Sequence, residues 1–561
     1  MQLKNNRIPD ILPEILHRTV KDHPEQGIGF VHPDRSIHFV TYPQLLEQAM
    51  GMLAGLQSRG LQKGSFLIIS IDQCKEIIPV LWACFIGGIV PALLQPPVTF
   101  TEYNPAAEKA GKVFHILDRP YVIFSHTHYE SWKSSHVPSD LLLDVAGIHG
   151  NPDEAKPADL HPDDLVLIQF SSGSTGDPKG IMLTHMNIIV NTFDITTGLK
   201  LKPFDVSTSW MPLYHDMGLL GFHITPVYNK CSHYLINPID FVKNPLLWLD
   251  ILHEKKTSIS ACPSFGQILV NRALKRRVTK DWDLSHLRVV FNAAEPISVS
   301  IMQEFLQNLK EYNLHPEAMF PAYGLAEATL AVTFASLEKE AEVVRFQRIS
   351  LLRLGMAVPA DPIDDNIIEL VNLGKPLTNC QVRIVNDQGK ELGERSIGTV
   401  LVKGPNVSSG YYKNAHATKT VFQDGWLHTG DLGFIYKRDL YIMGRSKDII
   451  FINGTNYYAH DIETVMFSVD GIVPGKVVVA GYFDEVEGRD KLLVFLVGSD
   501  NDTMRSTFLS IRNQLQQTLG LHPEGFIPIK SNDIPRTSSG KIQRYKMVNR
   551  FLQGAFSIVK L

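Results

Sequence analysis

The chain has 561 residues, 44% of them apolar and 20% charged, with a formal net charge of −4. That length exceeds one compact core, so two or more domains are expected, and a mildly negative chain without a basic tract gives nucleic-acid binding no support. Five scattered cysteines (Cys74, Cys84, Cys231, Cys262 and Cys380) fit a reducing cytoplasm better than a disulfide framework or a zinc site, and residues 1–7 lead into no secretory apolar core.

Thr41 reads as the N-cap of a long helix with Pro43 in its first turn. Leu45, Leu46, Ala49, Met52, Leu53 and Leu56 then share one helical face, and Gly60 ends it. Residues 66–71 follow as a fully buried strand. Residues 77–94 carry no charge, a length at the lower limit for a membrane span. Pro79, Gly87, Gly88 and Pro91 interrupt them, so the reading is a buried helix ending at the glycine pair and then a short strand, 89–94. Residues 165–170 form a buried-strand pattern. The rhythm of helix and strand recurs at 246–253 into 258–261, and at 287–291 before 301–309. It predicts an α/β protein with parallel sheets covered by helices on both faces.

From about residue 381 the texture changes to short β-like runs, 382–385 and 398–402, separated by turns at Asp387-Gln388-Gly389 and Asp424-Gly425. A small β-rich subdomain is expected over about 375–444, closing a large N-terminal domain of residues 1–444. Beyond residue 445 a helix opened by Asp461-Ile462-Glu463, strands at 476–482 and 491–497, and an amphipathic helix at 505–519 predict a small C-terminal α/β domain, 445–561.

The ten residues Ser171-Ser172-Gly173-Ser174-Thr175-Gly176-Asp177-Pro178-Lys179-Gly180 follow the strand pattern at 165–170. Glycines let the backbone approach an anion, and consecutive N–H groups with hydroxyls can wrap phosphate oxygens. A Walker loop is excluded, because Pro178 and Gly180 flank Lys179 where that motif needs Gly and Ser/Thr. A flexible surface loop stays open on composition alone. Five further segments occur in order: Trp210-Met211-Pro212-Leu213-Tyr214-His215-Asp216-Met217-Gly218; Asn292-Ala293-Ala294-Glu295-Pro296; Tyr323-Gly324-Leu325-Ala326-Glu327-Ala328-Thr329; Thr429-Gly430-Asp431-Leu432-Gly433; and Arg536-Thr537-Ser538-Ser539-Gly540-Lys541. The second follows a predicted strand, at the edge where parallel α/β sheets bind ligands. Each segment alone has a structural reading: a His-Asp hydrogen bond, a helix-cap loop, an aspartate bracing a turn, a solvated terminal lysine.

Together they resemble the superfamily of adenylate-forming enzymes, which includes acyl-CoA synthetases, peptide-synthetase adenylation domains and luciferases, over essentially the full length. Within it the wording Tyr214-His215-Asp216-Met217-Gly218-Leu219 and Tyr323-Gly324-Leu325-Ala326-Glu327-Ala328-Thr329 is most similar to fatty acyl-AMP ligases and stand-alone carrier-protein loading ligases. An extra stretch at about 337–373 matches that branch's insertion, which hinders use of coenzyme A; a plain surface loop is its alternative. Gly444 to Gly454 resembles the interdomain hinge, with Phe451 where many CoA-using relatives carry Lys.

The resemblance implies ATP-dependent activation of a carboxylic acid as acyl-AMP, release of pyrophosphate, and transfer to the phosphopantetheine thiol of a carrier protein. It implies nucleotide contacts at Ser171, Ser172, Gly173, Ser174, Thr175, Gly176, Lys179, Ala294, Glu295, Pro296, Tyr323, Gly324, Asp431 and Arg445. Glu327 would hold Mg²⁺, His215 would border the carboxylate, Lys541 would bridge carboxylate and α-phosphate, and the C-terminal domain would turn about a hinge at Lys447. Phe222 and His223 are expected at the acid, with His223 hydrogen-bonding a polar substituent and so favouring a short or hydroxy acid. The alternatives are an acyl-CoA synthetase using free CoA and an inactive adenylate-binding scaffold.

Overall fold

The computed structural model describes residues 8–97, 99–100, 104–171, 177–275, 280–452, 455–484, 487, 489–536 and 542–560. The helix anticipated after Thr41 runs over Tyr42–Ser58 with a complete capping box, the Thr41 hydroxyl accepting from the Gln44 N–H and the Gln44 side chain from the Thr41 N–H. The uncharged segment folds as the helix Cys74–Gly87, whose residues 77–87 are all buried. Gly88 closes it in the left-handed region at φ 66°. The strand Val90–Leu93 follows. Among the described residues no helix is long and apolar enough to cross a membrane.

Apolar runs of this kind are buried on both faces, and the chain stacks them into parallel sheets. The larger sheet has nine strands, and its run from Met319–Gly324 through Val289–Asn292, Ile259–Ala261, Ser207–Ser209 and His233–Ile236 to Gly27–Val31 is parallel. Antiparallel strands finish both edges. A second sheet of four parallel strands orders Val90–Leu93, Phe66–Ser70, Tyr121–Phe124 and Leu142–Asp144. Between them an antiparallel pair, Leu165–Ser171 and Lys179–Thr184, ends at the register pair Ser171 and Lys179. The glycine-rich loop therefore joins two strands; the first helix after it, His185–Leu199, begins only beyond Thr184.

The β-rich subdomain is a five-stranded antiparallel sheet built on Trp426–Tyr436, which pairs with Gly398–Lys403 and Asp439–Arg445. In the C-terminal region Val477–Asp484 and Arg489–Val497 alternate their side chains between two cores. Val477 and Val479 face the helices Ala459–Met466 and Asp502–Leu519, while Val478 and Ala480 face Arg544–Leu552.

The stretch at 337–373 is not a plain surface loop. Val343–Gln347 and Ile367–Val371 pair as antiparallel strands, and the helix Arg348–Leu354 lies between them in sequence. Phe346, Leu351 and Ile368 share a core with Phe434 and Tyr441 of the subdomain and Tyr458 of the C-terminal region. Arg348 donates to Asp461, both side chains being almost wholly buried. Burial pushes the Asp461 carboxyl up against the pull of Arg348.

One expectation is corrected. Residues Met217–Ile224 form a π-helix, whose wide turn sets neighbouring side chains in directions that 3.6-residue periodicity does not foresee. It turns His223 into the core rather than toward a substrate. The Trp82 indole N–H donates to His223 Nε2 at 2.9 Å, His223 Nδ1 lies 3.0 Å from His233 Nε2, and His233 Nδ1 lies 3.2 Å from the Tyr42 hydroxyl. Tyr42 donates in turn to the Cys231 carbonyl at 2.5 Å. Each group donates to the next, so the chain is satisfied with both imidazoles neutral. Both ring nitrogens of His223 are thereby used.

Burial holds His223 down at about 3 and His233 well below the ordinary imidazole range. An unfolded chain takes up these protons near pH 6.5 and the native one resists them, so the native state binds fewer. Their contribution is full above about pH 6.5 and is lost as pH falls toward about 3. Urea unfolding across this range should show that decline. His223→Phe should lose part of it, and at neutral pH should cost about 2–4 kcal/mol by orphaning Trp82 and His233.

Candidate active site

At the C-terminal edge of the parallel strands lies a cavity of ≈ 1220 Å³. Its floor comes from the turns that end two neighbouring strands. Ala293, Ala294, Glu295 and Pro296 follow Val289–Asn292, and Tyr323 and Gly324 finish Met319–Gly324. Ala294 sits at φ 75°, a conformation disfavoured for a residue with a Cβ, and the turn is tied down by Glu295, whose Oε1 accepts from the Phe265 N–H at 2.8 Å. Gly324 admits no side chain, because a Cβ there would stand 1.9 Å from the Leu330 carbonyl oxygen.

A relay of polar groups crosses the cavity wall. The Tyr323 hydroxyl donates to Asp431 Oδ2 at 2.6 Å, and Arg445 Nε lies 3.3 Å from Asp431 Oδ1. The Thr429 hydroxyl accepts from the Asp431 N–H at 3.0 Å and fixes the turn. Burial first, and then Asp431, raises the Tyr323 phenol well above its ordinary range; Asp431 above all raises the Arg445 guanidinium. Each carboxylate oxygen accepts more than one hydrogen bond, so Asp431 keeps capacity for two further hydroxyls.

A second group gathers at Glu327. Its Oε1 accepts from the Tyr411 hydroxyl at 2.9 Å, and Lys179 Nζ sits 5.1 Å over the Tyr411 ring. Tyr411 therefore couples the carboxylate to the end of the glycine-rich hairpin, and Tyr412 binds the same hairpin, its N–H donating to the Gly180 carbonyl at 2.7 Å. Motif reading missed Tyr411; the only signal was its place directly after Gly410, 84 residues from Glu327 in the chain.

Ser171, Lys179 and His215 line the same cavity, with His215 Nδ1 2.7 Å from Asp216 Oδ1. Lys447 lines it beside Arg445. Arg536 and Ile542, paired through a single antiparallel bridge, bring the C-terminal domain to the rim. Ser172, Gly173, Ser174, Thr175, Gly176 and Lys541 lie outside the described residues. Phe222 lines the cavity; His223 does not.

One stretch of the wall is apolar, interrupted at its far end by Ser207, Thr225 and Asp205, whose carboxylate is held by Arg288. Phe222 meets Phe291 edge-on at 6.2 Å, Phe291 meets Phe334 at 5.5 Å, and Ile195, Leu199 and Leu201 continue the wall. The lining reaches Ser207 and Ile259, the first residues of their strands, so the cavity extends along the sheet to its opposite edge.

Residues 16–412 match the model of the family described as "AMP-binding enzyme". The medium-chain-fatty-acid–acyl-carrier-protein ligase JamA of Moorena producens is 28% identical over 93% of this chain and 91% of its own length. Among solved structures, McyG A-PCP complexed with phenylalanyl-adenylate superposes with a TM-score of 0.87 at 31% identity, covering 99% of this chain and 84% of that one. A structure from studies of fatty acyl-adenylate ligases of E. coli and L. pneumophila superposes with a TM-score of 0.89 at 28% identity, covering 97% and 98%.

Asp431→Asn keeps the shape of the relay but removes its charge and part of its acceptor capacity. It should weaken AMP binding by about tenfold to a hundredfold, the loss of one or two hydrogen bonds to a charged group. Calorimetric titration with AMP measures this, with circular dichroism to confirm that the variant is folded.

Proposed function

The chain belongs to the AMP-binding enzyme family and is an acyl-AMP-forming ligase, and from that premise we propose that it transfers the adenylyl group of ATP to an apolar carboxylic acid, releasing pyrophosphate, and passes the acyl group to a carrier-protein thiol. The observation that carries the reading is the convergence of Lys179, Glu327, Asp431 and Arg445 on one cavity, with Arg536 and Ile542 in its lining.

The reaction requires a carboxylate to attack the α-phosphate of ATP, although both are anions. Lys179 and the glycine-rich loop neutralise and orient the phosphates, so that pyrophosphate leaves in line. Asp431 takes the ribose hydroxyls with its remaining acceptor capacity, Arg445 faces the phosphate, and Tyr323 with the turn Ala294-Glu295-Pro296 holds adenine. His215 borders the acid's carboxylate. Lys541 bridges carboxylate and α-phosphate where charge accumulates in the transition state, and Lys447 lies at the hinge about which its domain turns.

Glu327 fits Mg²⁺ as a single hard oxygen donor. Its Oε1 is braced by Tyr411, and among the described residues no cluster of three or more His, Cys, Asp or Glu is suited to a metal. Mg²⁺ is commonly held by one or two carboxylates, with phosphates and water completing its shell. When bound it supplies charge neutralisation at the phosphates.

The acid follows from the wall. With His223 committed to Trp82 and His233, no polar reader of the acid remains at that position, and the expectation of a short or hydroxy acid gives way to an apolar chain. Ile259 stands level with Val289, three residues before the strand ends at Asn292; at about 3.3 Å per residue this stretch spans roughly 10 Å. An extended alkyl chain with C–C bonds of about 1.5 Å advances about 1.25 Å per carbon, so about eight carbons lie along this stretch.

A carrier-protein acceptor is supported by the insertion, whose Arg348 is ion-paired to Asp461 of the C-terminal domain, by the half-exposed apolar Phe451, and by the acyl-carrier-protein named as acceptor for the JamA ligase.

Pyrophosphate exchange over a panel of acids tests the reading. Dodecanoate should support faster exchange than 3-hydroxybutyrate; the reverse order would refute the apolar pocket. With free CoA present, acyl-adenylate should accumulate and little acyl-CoA form; comparable rates of the two would make the protein an acyl-CoA synthetase. Lys541→Ala should lower acid-dependent exchange by about a thousandfold while ATP affinity is largely kept, since its contact is made in the transition state.

A further inference from the structure

A second cavity of ≈ 90 Å³ opens beside the first, and Ser171, Tyr214, Arg536 and Gln543 line both. It lies between the helix Pro105–Ile116, the hairpin ends at Ser171 and Pro178, and the helix Arg544–Leu552 of the C-terminal domain. Its described wall holds four cations, Lys109, Lys112, Arg536 and Lys546, against one acid, Glu108. Lys112 is already neutralised, 3.0 Å from Glu108 and 2.8 Å from Asp177.

Lys109 is different. Its Nζ donates to the carbonyl of Phe170, the residue directly before Ser171, at 2.9 Å, which uses one of three ammonium donors. The side chain keeps some exposure along its length, but the ammonium is packed among protein atoms. Burial brings it down to about 8, and among the described residues no carboxylate offsets the loss. A cation held in this way with no counter-ion among the described residues is costly to the fold, and it stands beside Phe170 and Ser171, where the first strand of the hairpin ends.

We propose that this side cavity is a pyrophosphate site, which receives the leaving group from the main cavity after adenylate formation; the inference rests on the acyl-AMP ligase reading above. In that reaction a carboxylate oxygen bonds to the α-phosphorus. The bond from that phosphorus to the bridging oxygen breaks, and pyrophosphate departs with the bonding electron pair. Lys109 from the N-terminal domain and Lys546 from the C-terminal domain then meet it from opposite walls. Because one wall belongs to the C-terminal domain, reorientation of that domain opens the site and frees the anion.

Calorimetric titration of magnesium pyrophosphate, and separately of magnesium ATP, into the full chain tests this without turnover. Lys109→Gln and Lys546→Gln should each weaken pyrophosphate about tenfold, the loss of one charge-assisted hydrogen bond, while ATP affinity stays within about twofold. Lys109→Arg should retain pyrophosphate affinity. Lys546 is half-exposed on a helix, so its variant reports even if Lys109→Gln folds poorly. Unchanged pyrophosphate affinity in both glutamine variants, absence of binding to the wild-type chain, or equal weakening of ATP and pyrophosphate would overturn the proposal. A wild-type chain that binds pyrophosphate normally yet shows no acid-dependent exchange would count against the ligase reading and leave this site standing.

Discussion

Repulsion between two anions is the constraint that the rest of the molecule answers. A carboxylate and a triphosphate must meet, and unit charges about 4 Å apart repel by about 4 kcal/mol even in the screened interior of a protein. Two cations, Lys179 and Arg445, are fixed at the first and last residues of strands. Further cations, Arg536 among the described residues, arrive with the C-terminal domain. Under the proposed domain movement, splitting the positive charge in this way would make the site strongly cationic only while the domains are closed. The acids in the site are restrained in turn: Asp431 by Tyr323 and Arg445, Glu327 by Tyr411.

The domain arrangement is made specific rather than merely sticky. Arg348 and Asp461 form an ion pair buried at the join between the insertion and the C-terminal region. Such a pair contributes little net stability against an apolar substitute, but separating its members exposes each to a large penalty unless water reaches it. Leu352 beside it packs into the C-terminal core. The domain rotation that the proposed function invokes would have to break a polar contact and an apolar one together, which would favour an acceptor that delivers its own binding surface over a small free thiol.

Much of this was legible in the chain. The Thr41 capping box, the helix ended by Gly88 and the strand-to-turn transition at Asn292–Pro296 are local, and short-range rules reach them. The site motifs carried their chemistry in fixed order. What stayed hidden depends on tertiary contacts. Tyr411 acquires its role only when it meets Glu327 and Lys179, and Lys109 only when it reaches Phe170, 61 residues on. His223 adjoins Phe222 but faces the core, and sequence spacing does not say which way a π-helix turns two neighbours.

That pair of neighbours shows how selectivity for an acid can be set by residues that never touch it. Phe222 presents an apolar edge to the cavity, while His223 anchors the same turn to Trp82 and His233 behind it. A wall made only of apolar contacts could shift to admit a polar or shorter ligand at small cost. A wall tied to a directional chain of four hydrogen bonds cannot shift without orphaning buried donors, each worth about 1–3 kcal/mol. The chain from Trp82 to Cys231 thus turns a soft aromatic surface into a fixed one, against which the acid would be fitted under the proposed function.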